Sequence, residues 1–347
     1  MTNRLLPAEG AYDPVILLSW PHERSDWADV LDEVNRYYER LTDILVGIGL
    51  DVIIVTPQAN NINAFRRRLT ASDKVKIFEC RTNDTWSRDF GPIVVNSNGE
   101  WIINDFKFNG WGLKFPACYD NLITSQLCSE GALLGKYENH LGFVLEGGSI
   151  ESDGVGSIMT TWRCLGSPNR NGNLSRSEIE NRLKETLGAK QILWLENGEL
   201  AGDDTDAHID TLARFCGDQK IIYTGCDDYN DVHFRSLERM KQELKNFRNV
   251  KGEPYELIEL PLPDPLFDDE GLRMPATYAN YLITPSHIIM PSYGQSEKDR
   301  LAETILKIAY NKEVIAIDSQ ILITQHGSLH CATMQMPKEL INLKYEW

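Results

Sequence analysis

Groups that could act as acids, bases or ligands are concentrated in one short run of the chain, residues 202–210. Four aspartates and His208 lie within its last eight positions, and a single isoleucine separates His208 from Asp210. In an extended segment, these two side chains would project from the same face. An imidazole beside a carboxylate can transfer protons and hold a cationic substrate, or it can hold a metal ion. The choice depends on whether the chain also supplies a nucleophile.

Cys331 is the candidate nucleophile, and it lies close to the C-terminus in the run 326–335. The glycine and serine before it permit a sharp turn that would present the thiol at a loop tip. A catalytic thiol needs a lowered pKa or a nearby base, and His208 is the strongest candidate for that base. His330 is a weaker candidate, because neighbours on a strand point to opposite faces. Taken alone, Cys331 is also explained as one of seven small, buried cysteines.

Two further polar clusters could line a pocket. In the run 82–92, Trp86 could form a pocket wall and Asp89 an anionic floor, although a turn with an Arg–Asp pair explains the same residues. In the run 145–151, Glu146 ends an apolar segment directly before two glycines, which let backbone or ligand approach closely. A carboxylate at that point could orient a histidine or bind a cation, or it could belong to an ordinary hairpin.

The apolar segments predict the elements that position these clusters. Short runs rich in β-branched residues predict strands at 15–18, 52–55, 192–194, 221–223 and 314–317. A helix capped by Ser25 is predicted to bury one stripe, made of Trp27, Val30, Leu31, Val34, Leu41 and Ile44. Further helices are predicted near 175–187, 232–247 and 297–310. The fold class is therefore α/β or α+β.

The polar, glycine-containing clusters recur along the chain, near residues 89, 147, 206 and 328. A module of about 60–70 residues that ends in a functional loop would explain this spacing and would fit five times into the chain. No Pro/Ser-rich linker and no change in composition divides the 347 residues, so the sequence predicts a single domain.

Composition limits the classes of partner. The net charge of −16 argues against nucleic-acid binding, which needs Lys and Arg on phosphates, and it suits a small cationic substrate. Seven cysteines without short paired spacings indicate reduced thiols in the cytosol. The polar N-terminal segment is unlike a signal peptide, and no apolar run reaches the roughly 18 residues that span a membrane. We therefore expect a cytoplasmic protein with no membrane partner.

Taken together and in this order, the clusters resemble the agmatine deiminase / bacterial-type peptidylarginine deiminase family of guanidine-modifying enzymes. The matching segments span nearly the whole chain, at 83–91, 108–112, 145–150, 202–210, 276–280 and 327–331. The resemblance implies a pentein fold, which is a five-bladed α/β propeller of ββαβ modules with pseudo-fivefold symmetry, and one catalytic domain over residues 1–347. It also implies that no metal ion or organic cofactor is needed.

Position by position, the resemblance implies that Cys331 is the nucleophile and His208 the general acid/base. Asp89 and Asp210 match the two carboxylates that grip the guanidinium, and Glu146 matches the carboxylate beside the histidine. Two carboxylates suit a planar guanidinium because each can bind it through bidentate, charge-assisted hydrogen bonds. The expected reaction is hydrolysis of agmatine to N-carbamoylputrescine and ammonia through a covalent thiouronium, in putrescine and polyamine biosynthesis.

The resemblance also assigns substrate contacts. Trp86 matches an aromatic wall against the alkyl chain, and Trp111 of the segment 108–112 is expected to bind substrate. Arg273 and Arg300 are the basic residues considered for a substrate carboxylate, and the acidic run 268–270 is considered for a distal ammonium. The longer agmatine deiminases carry a triple-glycine run before Ile-His-Cys, where this chain has His-Gly-Ser-Leu at 326–329.

Three other functions stay open from the sequence. The nearest is the same chemistry on free arginine or on a peptidyl C-terminal arginine. A different class is a metal-dependent hydrolase that uses His208 and Asp210, although the other histidines lack zinc-site spacing. A third is a non-catalytic protein that only binds cations. The sequence also leaves open whether the chain forms a homo-oligomer.

Overall fold

The computed structural model describes residues 4–69 and 71–347, so the first three residues of the N-terminal segment lie outside it. Its strands are, in chain order, β1 (Arg4–Leu5), β2 (Pro14–Ser19), β3 (Asp51–Thr56), β4 (Val75–Glu79), β5 (Ile93–Ser97), β6 (Glu100–Lys107), β7 (Lys136–Val144), β8 (Ile150–Ser152), β9 (Ser157–Thr161), β10 (Gln191–Leu195), β11 (Ala213–Phe215), β12 (Lys220–Thr224), β13 (Glu256–Leu260), β14 (Leu282–Ile283), β15 (His287–Ser292), β16 (Glu313–Asp318) and β17 (Met334–Pro337). Its helices are α1 (Leu31–Gly47), α2 (Ala59–Arg66), α3 (Ser87–Phe90), α4 (Gly110–Leu113), α5 (Ile123–Ser129), α6 (Trp162–Leu165), α7 (Arg176–Leu187), α8 (Phe234–Asn246), α9 (Ser296–Tyr310) and α10 (Gln320–Ile323). The mixed α/β class is confirmed.

By their internal contacts, the described residues group into two compact units. The first unit contains residues 4–11, Val95–Asn98 and Gly148–His330. The second unit contains Tyr12–Val94, Gly99–Gly147 and Cys331–Trp347. The division falls between His330 and Cys331, so it separates neighbours in the sequence.

One supersecondary pattern occurs three times in the first unit. Two antiparallel strands are followed by a helix and by a third strand that pairs in parallel with the second strand. The three copies are β8–β9–α7–β10, β11–β12–α8–β13 and β14–β15–α9–β16. A parallel pair needs a long crossover connection, and the helix supplies it in each copy. The ββαβ module expected from the family resemblance is therefore present in this unit.

The second unit contains a related sheet in which the two ends of the chain pair. Strand β17 is antiparallel to β2, with Met334 opposite Leu17, and β3 and β4 extend the sheet in parallel. Helix α1 connects β2 to β3, so β17, β2, α1 and β3 repeat the same pattern although β17 comes last in the sequence. Strands β6 and β7 of this unit are also parallel, and α5 lies between them in the chain.

Most of the predicted elements are confirmed. The predicted strands lie within β2, β3, β10, β12 and β16, and the predicted helices correspond to α7, α8 and α9. Helix α7 begins with a capping box, in which the Ser175 hydroxyl accepts from Glu178 N and the Glu178 carboxylate accepts from Ser175 N. These predictions succeeded because a cap and an apolar period are local signals.

The predicted start of the first helix is wrong. Helix α1 begins at Leu31, after a 3-10 turn at Ala28–Val30. The Ser25 hydroxyl does not cap it, because this hydroxyl accepts from the backbone N–H of His22, at 3.3 Å, and donates to the His22 carbonyl, at 2.7 Å. The predicted stripe is also only partly right. Trp27, Val34 and Leu41 are fully buried, whereas Val30, Leu31 and Ile44 are half-buried.

An apolar core in the first unit anchors the run at 202–210. Ile209 is fully buried in a cluster that includes Met159 of β9 and Leu193 of β10. Its neighbours His208 and Asp210 are therefore fixed next to this core, and both are fully buried themselves. Within residues 4–69 and 71–347, none of the helices has the length and apolar character that a membrane span requires.

Candidate active site

In the second unit, hydrogen bonds join helix α3 to the segment that carries Cys331. The Ser87 hydroxyl lies 2.8 Å from the carbonyl oxygen of Leu17 and 3.0 Å from that of Ala332. The backbone N–H of Arg88 donates to the carbonyl of Cys331, at 3.1 Å. Helix α3 is thus fixed against β2 and against the peptide bonds on the C-terminal side of Cys331. Cys331 is buried, so the thiol does not sit at an exposed loop tip.

Asp89 of α3 is held by Trp111. The indole Nε1–H donates to Asp89 Oδ2, at 2.8 Å, and both side chains are buried. Trp111 has the left-handed backbone angles φ 54° and ψ 46°, which are rare for a non-glycine residue. The preceding Gly110 has φ 67°, and a Cβ there would lie 2.1 Å from the carbonyl oxygen of Phe115. This strained turn aims the indole at the carboxylate.

Trp86 lies in the interior of the second unit. Its ring is 5.8 Å from that of Trp27, and only 4% of its surface is exposed. Trp27 is fixed in turn by a hydrogen bond from its Nε1 to the Thr85 hydroxyl, at 2.9 Å. The role of Trp86 as an aromatic wall stays a prediction.

Glu146 is fully buried in the same unit. The next residue, Gly147, packs so closely that a Cβ would lie 2.2 Å from the carbonyl oxygen of Arg88. Gly147 therefore allows the close backbone approach that the sequence indicated. Glu146 directly precedes this contact with α3.

In the first unit, the aspartates before His208 build a turn. The Asp203 carboxylate accepts hydrogen bonds from Thr205 N, at 2.9 Å, and from Ala207 N, at 2.6 Å. The Thr205 hydroxyl accepts from His208 N, at 3.1 Å. Asp206 and Ala207 adopt positive φ angles of 64° and 66°, so the chain bends sharply just before the histidine. The turn fixes the backbone position of His208.

These contacts bear on the hypothesis of a metal-dependent hydrolase, because a carboxylate that is already bonded to other groups is less available as a metal ligand. Asp206 binds Arg170 at 2.5 Å, and Asp203 accepts from N–H groups of its own turn. A buried cysteine that sequence reasoning did not single out, Cys164, has its Sγ within 4.8 Å of a ring nitrogen of His208. The contacts of Asp203 and Asp206 therefore explain these two aspartates as structural residues.

Asp210 is bound by His330. The Nδ1–H of His330 donates to Asp210 Oδ2, at 2.7 Å, and the segment Ile209–Thr211 is a 3-10 turn rather than an extended strand. Burial by itself raises the pKa of Asp210. The hydrogen bond and charge of His330, with the charges of His208 and Arg214, outweigh burial and lower that pKa below its usual value. The site therefore keeps a buried negative charge at neutral pH.

The structure also shows the contacts of the residues that were considered for binding a carboxylate or a distal ammonium of the substrate. Arg273 forms an ion pair with Asp231, at 2.8 Å, and Arg300 donates to the carbonyl of Ser296 within its own helix. Asp268 accepts from the backbone N–H groups of its own acidic loop. These contacts show a structural use for each residue.

His326 stands within the segment where the longer agmatine deiminases have their glycine run. It has a positive φ of 64°, a conformation that glycine adopts easily, and its Nδ1 lies 2.8 Å from the carbonyl oxygen of Gly202. The loop before Cys331 therefore reaches the run at 202–210 through a side chain.

Sequence reasoning proposed the reactive residue types but did not predict the contacts that orient them. His330 was judged only as a base for Cys331, and its bond to Asp210 spans 120 positions. No local pattern in the sequence marks this contact, because it depends on the tertiary structure.

Comparisons with known proteins extend over almost the whole chain. The model of the Porphyromonas-type peptidyl-arginine deiminase family matches residues 5–337. A structure of C. jejuni agmatine deiminase, a Cys-to-Ser variant with substrate bound, is 38% identical, with a TM-score of 0.89 over 97% of each chain. A Porphyromonas gingivalis structure described as a "Putative Arginine Deiminase" is 43% identical, with a TM-score of 0.92 over 98% of this chain and 100% of that one. A "Putative agmatine deiminase" of Vibrio parahaemolyticus is 33% identical, over 95% of this chain and 96% of the relative.

Proposed function

Because the chain belongs to the Porphyromonas-type peptidyl-arginine deiminase family, we propose that it hydrolyses agmatine to N-carbamoylputrescine and ammonia. It would thus be a hydrolase acting on the C–N bond of a linear amidine, in putrescine and polyamine biosynthesis. The observation that carries the proposal is the similarity, over 97% of each chain, to a C. jejuni agmatine deiminase with substrate bound. The lowered pKa of buried Asp210 supports it, because an ionised carboxylate suits a guanidinium.

The proposed mechanism uses four residues. Asp89 and Asp210 grip the guanidinium and localise its charge on the central carbon. The Cys331 thiolate attacks that carbon, and His208 protonates the departing nitrogen, which leaves as ammonia. A covalent thiouronium then remains on the sulfur. His208 takes a proton from water, and the resulting hydroxide attacks the same carbon. The C–S bond then breaks to release the thiolate, and the added hydroxyl loses its proton to solvent to give the urea product.

Three residues support this chemistry in the proposal. Glu146 orients the catalytic histidine, and Trp86 forms the wall against the alkyl chain of the substrate. Trp111 contributes to substrate binding, and its hydrogen bond to Asp89 supports that role, since it orients the carboxylate. The family resemblance supports the other two assignments, and no cofactor or metal ion takes part.

The second candidate function is the same reaction on free arginine or on a peptidyl C-terminal arginine. The description of the P. gingivalis structure favours it. Arginine carries an α-carboxylate, which an arginine side chain would normally bind. Arg273 is already paired with Asp231, and Arg300 bonds to its own helix, so neither side chain favours arginine over agmatine.

The arrangement of the modules and the extent of the domain are part of the same proposal. We propose that the ββαβ modules form the five blades of a pentein propeller and that residues 1–347 act as one catalytic domain. The repeated modules within each unit support the propeller, and the continuous family match over residues 5–337 supports the single domain. The cytoplasmic location stays a prediction from composition, as does the absence of nucleic-acid and membrane partners. The oligomeric state stays open.

The direct test measures ammonia and urea-type product from agmatine, free arginine and a peptide with C-terminal arginine. Among the three substrates, we expect agmatine to give the highest kcat/KM. We expect Cys331→Ala to lower kcat/KM for agmatine by more than about 10³-fold. Cys128→Ala is the matched control, because this cysteine is half-buried in α5 and has no assigned role. A clear preference for arginine would replace agmatine with the second candidate.

Two further outcomes separate the remaining alternatives. A metal-dependent hydrolase would lose activity with a chelator and keep it in Cys331→Ala, which is the reverse of our expectation. A protein that only binds cations would bind agmatine in the folded state and release no ammonia. Either result would reject the proposed deiminase.

A further inference from the structure

The imidazole of His330 lies between two carboxylates in the first unit. Its Nδ1 is 2.7 Å from Asp210 Oδ2, and its Nε2 is 2.8 Å from Glu9 Oε2. The Nε2 atom is also 3.2 Å from a terminal nitrogen of Arg214. The four side chains are almost completely buried, so water does not compete strongly for these contacts.

The hydrogen bond from His330 to Asp210 forms whether the ring is neutral or an imidazolium. With hydrogens on both nitrogens, the ring is an imidazolium, and its Nε2–H donates to Glu9. Without the hydrogen on Nε2, this nitrogen accepts from Arg214 and the ring is neutral. Asp210 is ionised, so an Nδ1 without hydrogen would set two lone pairs against each other at 2.7 Å. Nδ1 therefore donates to Asp210 in either form.

The far side of the ring is fixed by a buried network. Arg214 donates from its Nε to Glu151, at 3.0 Å, and from its terminal nitrogens to the carbonyl of Tyr281, at 2.6 Å, and to Glu9, at 3.0 Å. The other oxygen of Glu9 accepts from the backbone N–H of Ile283, at 2.6 Å. Each group thus has charge-assisted bonds that hold its plane. The network leaves the imidazole little freedom to rotate.

We propose that His330 is the positioning residue for Asp210, because its Nδ1–H fixes one carboxylate oxygen and so presents the carboxylate to the substrate guanidinium in one orientation. The inference rests on the proposed function, which assigns that guanidinium to Asp210. His330 moves no proton in the reaction; its effect passes through the carboxylate. The ring of His330 contacts Glu9 and Arg214, and Arg214 is held in turn by Glu151.

Two amide variants separate the two sides of the ring. The amide nitrogen of His330→Asn falls near the former Nδ1 and can still donate to Asp210. That of His330→Gln falls near the former Nε2 and can reach only Glu9. We expect His330→Gln to lower kcat/KM for agmatine about 10- to 100-fold and His330→Asn to lower it clearly less. His287→Gln, a half-buried histidine of β15, is the matched control.

The pH profile supplies a readout that a purely structural role would not change. His330 lowers the pKa of Asp210, so its loss raises that pKa. The carboxylate then becomes protonated at a higher pH as the solution is acidified. We therefore expect the acid limb of kcat/KM to move to higher pH in His330→Gln and to stay closer to the original position in His330→Asn.

The outcomes distinguish this inference from the proposed function. If the unaltered enzyme releases no ammonia from agmatine, the proposed function is wrong before any variant is compared. If the unaltered enzyme is active but the two amide variants lose equal activity, with the same acid limb, the positioning role is rejected. Lower melting temperatures with unchanged kinetics would also reject it. Agmatine affinity, measured by titration calorimetry in the Cys331→Ala background, should follow the same order as kcat/KM.

Discussion

Trp111 shows how one polar atom on a large apolar side chain can control a reactive group. Its indole donates to Asp89 Oδ2, while its ring packs edge-on against Phe108, at 5.0 Å. Trp111→Phe keeps most of the packing and removes the donor from a buried carboxylate. A lost hydrogen bond to a charged group costs about 1.5–3 kcal/mol, so we expect kcat/KM for agmatine to fall about 10- to 100-fold. Steady-state ammonia release measures this.

The control for this prediction is a second tryptophan with the same kind of bond. Trp194 Nε1 donates to Glu180 Oε1, at 2.9 Å, on the half-buried surface of the first unit. Trp194→Phe removes an equivalent donor, and we expect it to leave kcat/KM unchanged. Equal kinetics in Trp111→Phe and the unaltered enzyme would show that Asp89 does not depend on the indole.

At the scale of single residues, the sequence offers candidates for reactive groups more readily than for the groups that orient them. Chemistry restricts a nucleophile to a few residue types, so Cys331 stands out in a run of glycine, serine and histidine. A residue that only orients a carboxylate can be any donor. Trp111 and His330 both perform this task, and their bonds span 22 and 120 positions. Such contacts depend on tertiary structure, which no local pattern carries.

Helices and strands are likewise predictable from the sequence only where local signals fix them. The prediction of helix α7 is confirmed, and its start is fixed by a local feature, the capping box from Ser175 to Glu178. The start of α1 was mispredicted because the hydroxyl of Ser25 bonds backward to His22, which competes with capping. The pairing of β17 with β2 joins Met334 to Leu17, and an apolar pattern predicts each strand but not its partner.

Gly147 allows a test of how closely elements must approach in the second unit. A Cβ at this position would lie 2.2 Å from the carbonyl oxygen of Arg88 in α3. Because the colliding atom belongs to the backbone, Gly147→Ala must displace α3 or the segment after Glu146. We expect a loss of about 1–3 kcal/mol in the free energy of unfolding and a lower kcat/KM, measured by urea denaturation and ammonia release.

Gly142 provides the matched control within the same unit. It is exposed on β7, and an added Cβ would meet nothing within 4 Å. Alanine there restricts the unfolded chain without a clash, so we expect Gly142→Ala to leave stability unchanged or slightly higher. If Gly147→Ala behaved in the same way, the close approach of the two segments would not be needed for the fold or for activity.

At the scale of the whole molecule, buried carboxyls whose pKa values are shifted in opposite directions contribute to the dependence of stability on pH. Asp105 is 2% exposed and accepts a hydrogen bond from the Tyr137 hydroxyl, at 2.7 Å; burial raises its pKa to about 6, in spite of this bond. Burial also acts to raise the pKa of Asp51. Hydrogen bonds from Lys338 and Lys76 outweigh that effect, so the pKa of Asp51 lies below its usual value.

The two aspartates should therefore respond to pH in opposite directions. The contribution of Asp105 is fully present below its unfolded pKa near 4 and is lost as pH rises through about 6, by up to about 3 kcal/mol. Asp105→Asn lacks this loss, so its free energy of unfolding should rise relative to the unaltered protein between pH 4 and 8. Asp51 stabilises the fold above its unfolded pKa, and this contribution is lost as pH falls through the lower folded value.

Urea unfolding of Asp105→Asn and Asp51→Asn at several pH values between 3 and 8 tests both directions in one unit of the molecule. Asp51→Asn should be destabilised most at neutral pH, and its difference from the unaltered protein should shrink toward pH 3. Asp105→Asn should show the reverse trend, because the amide keeps an acceptor for Tyr137 and carries no charge. Parallel curves for Asp105→Asn and the unaltered protein would mean that burial of this carboxyl does not govern the stability of the fold near neutral pH.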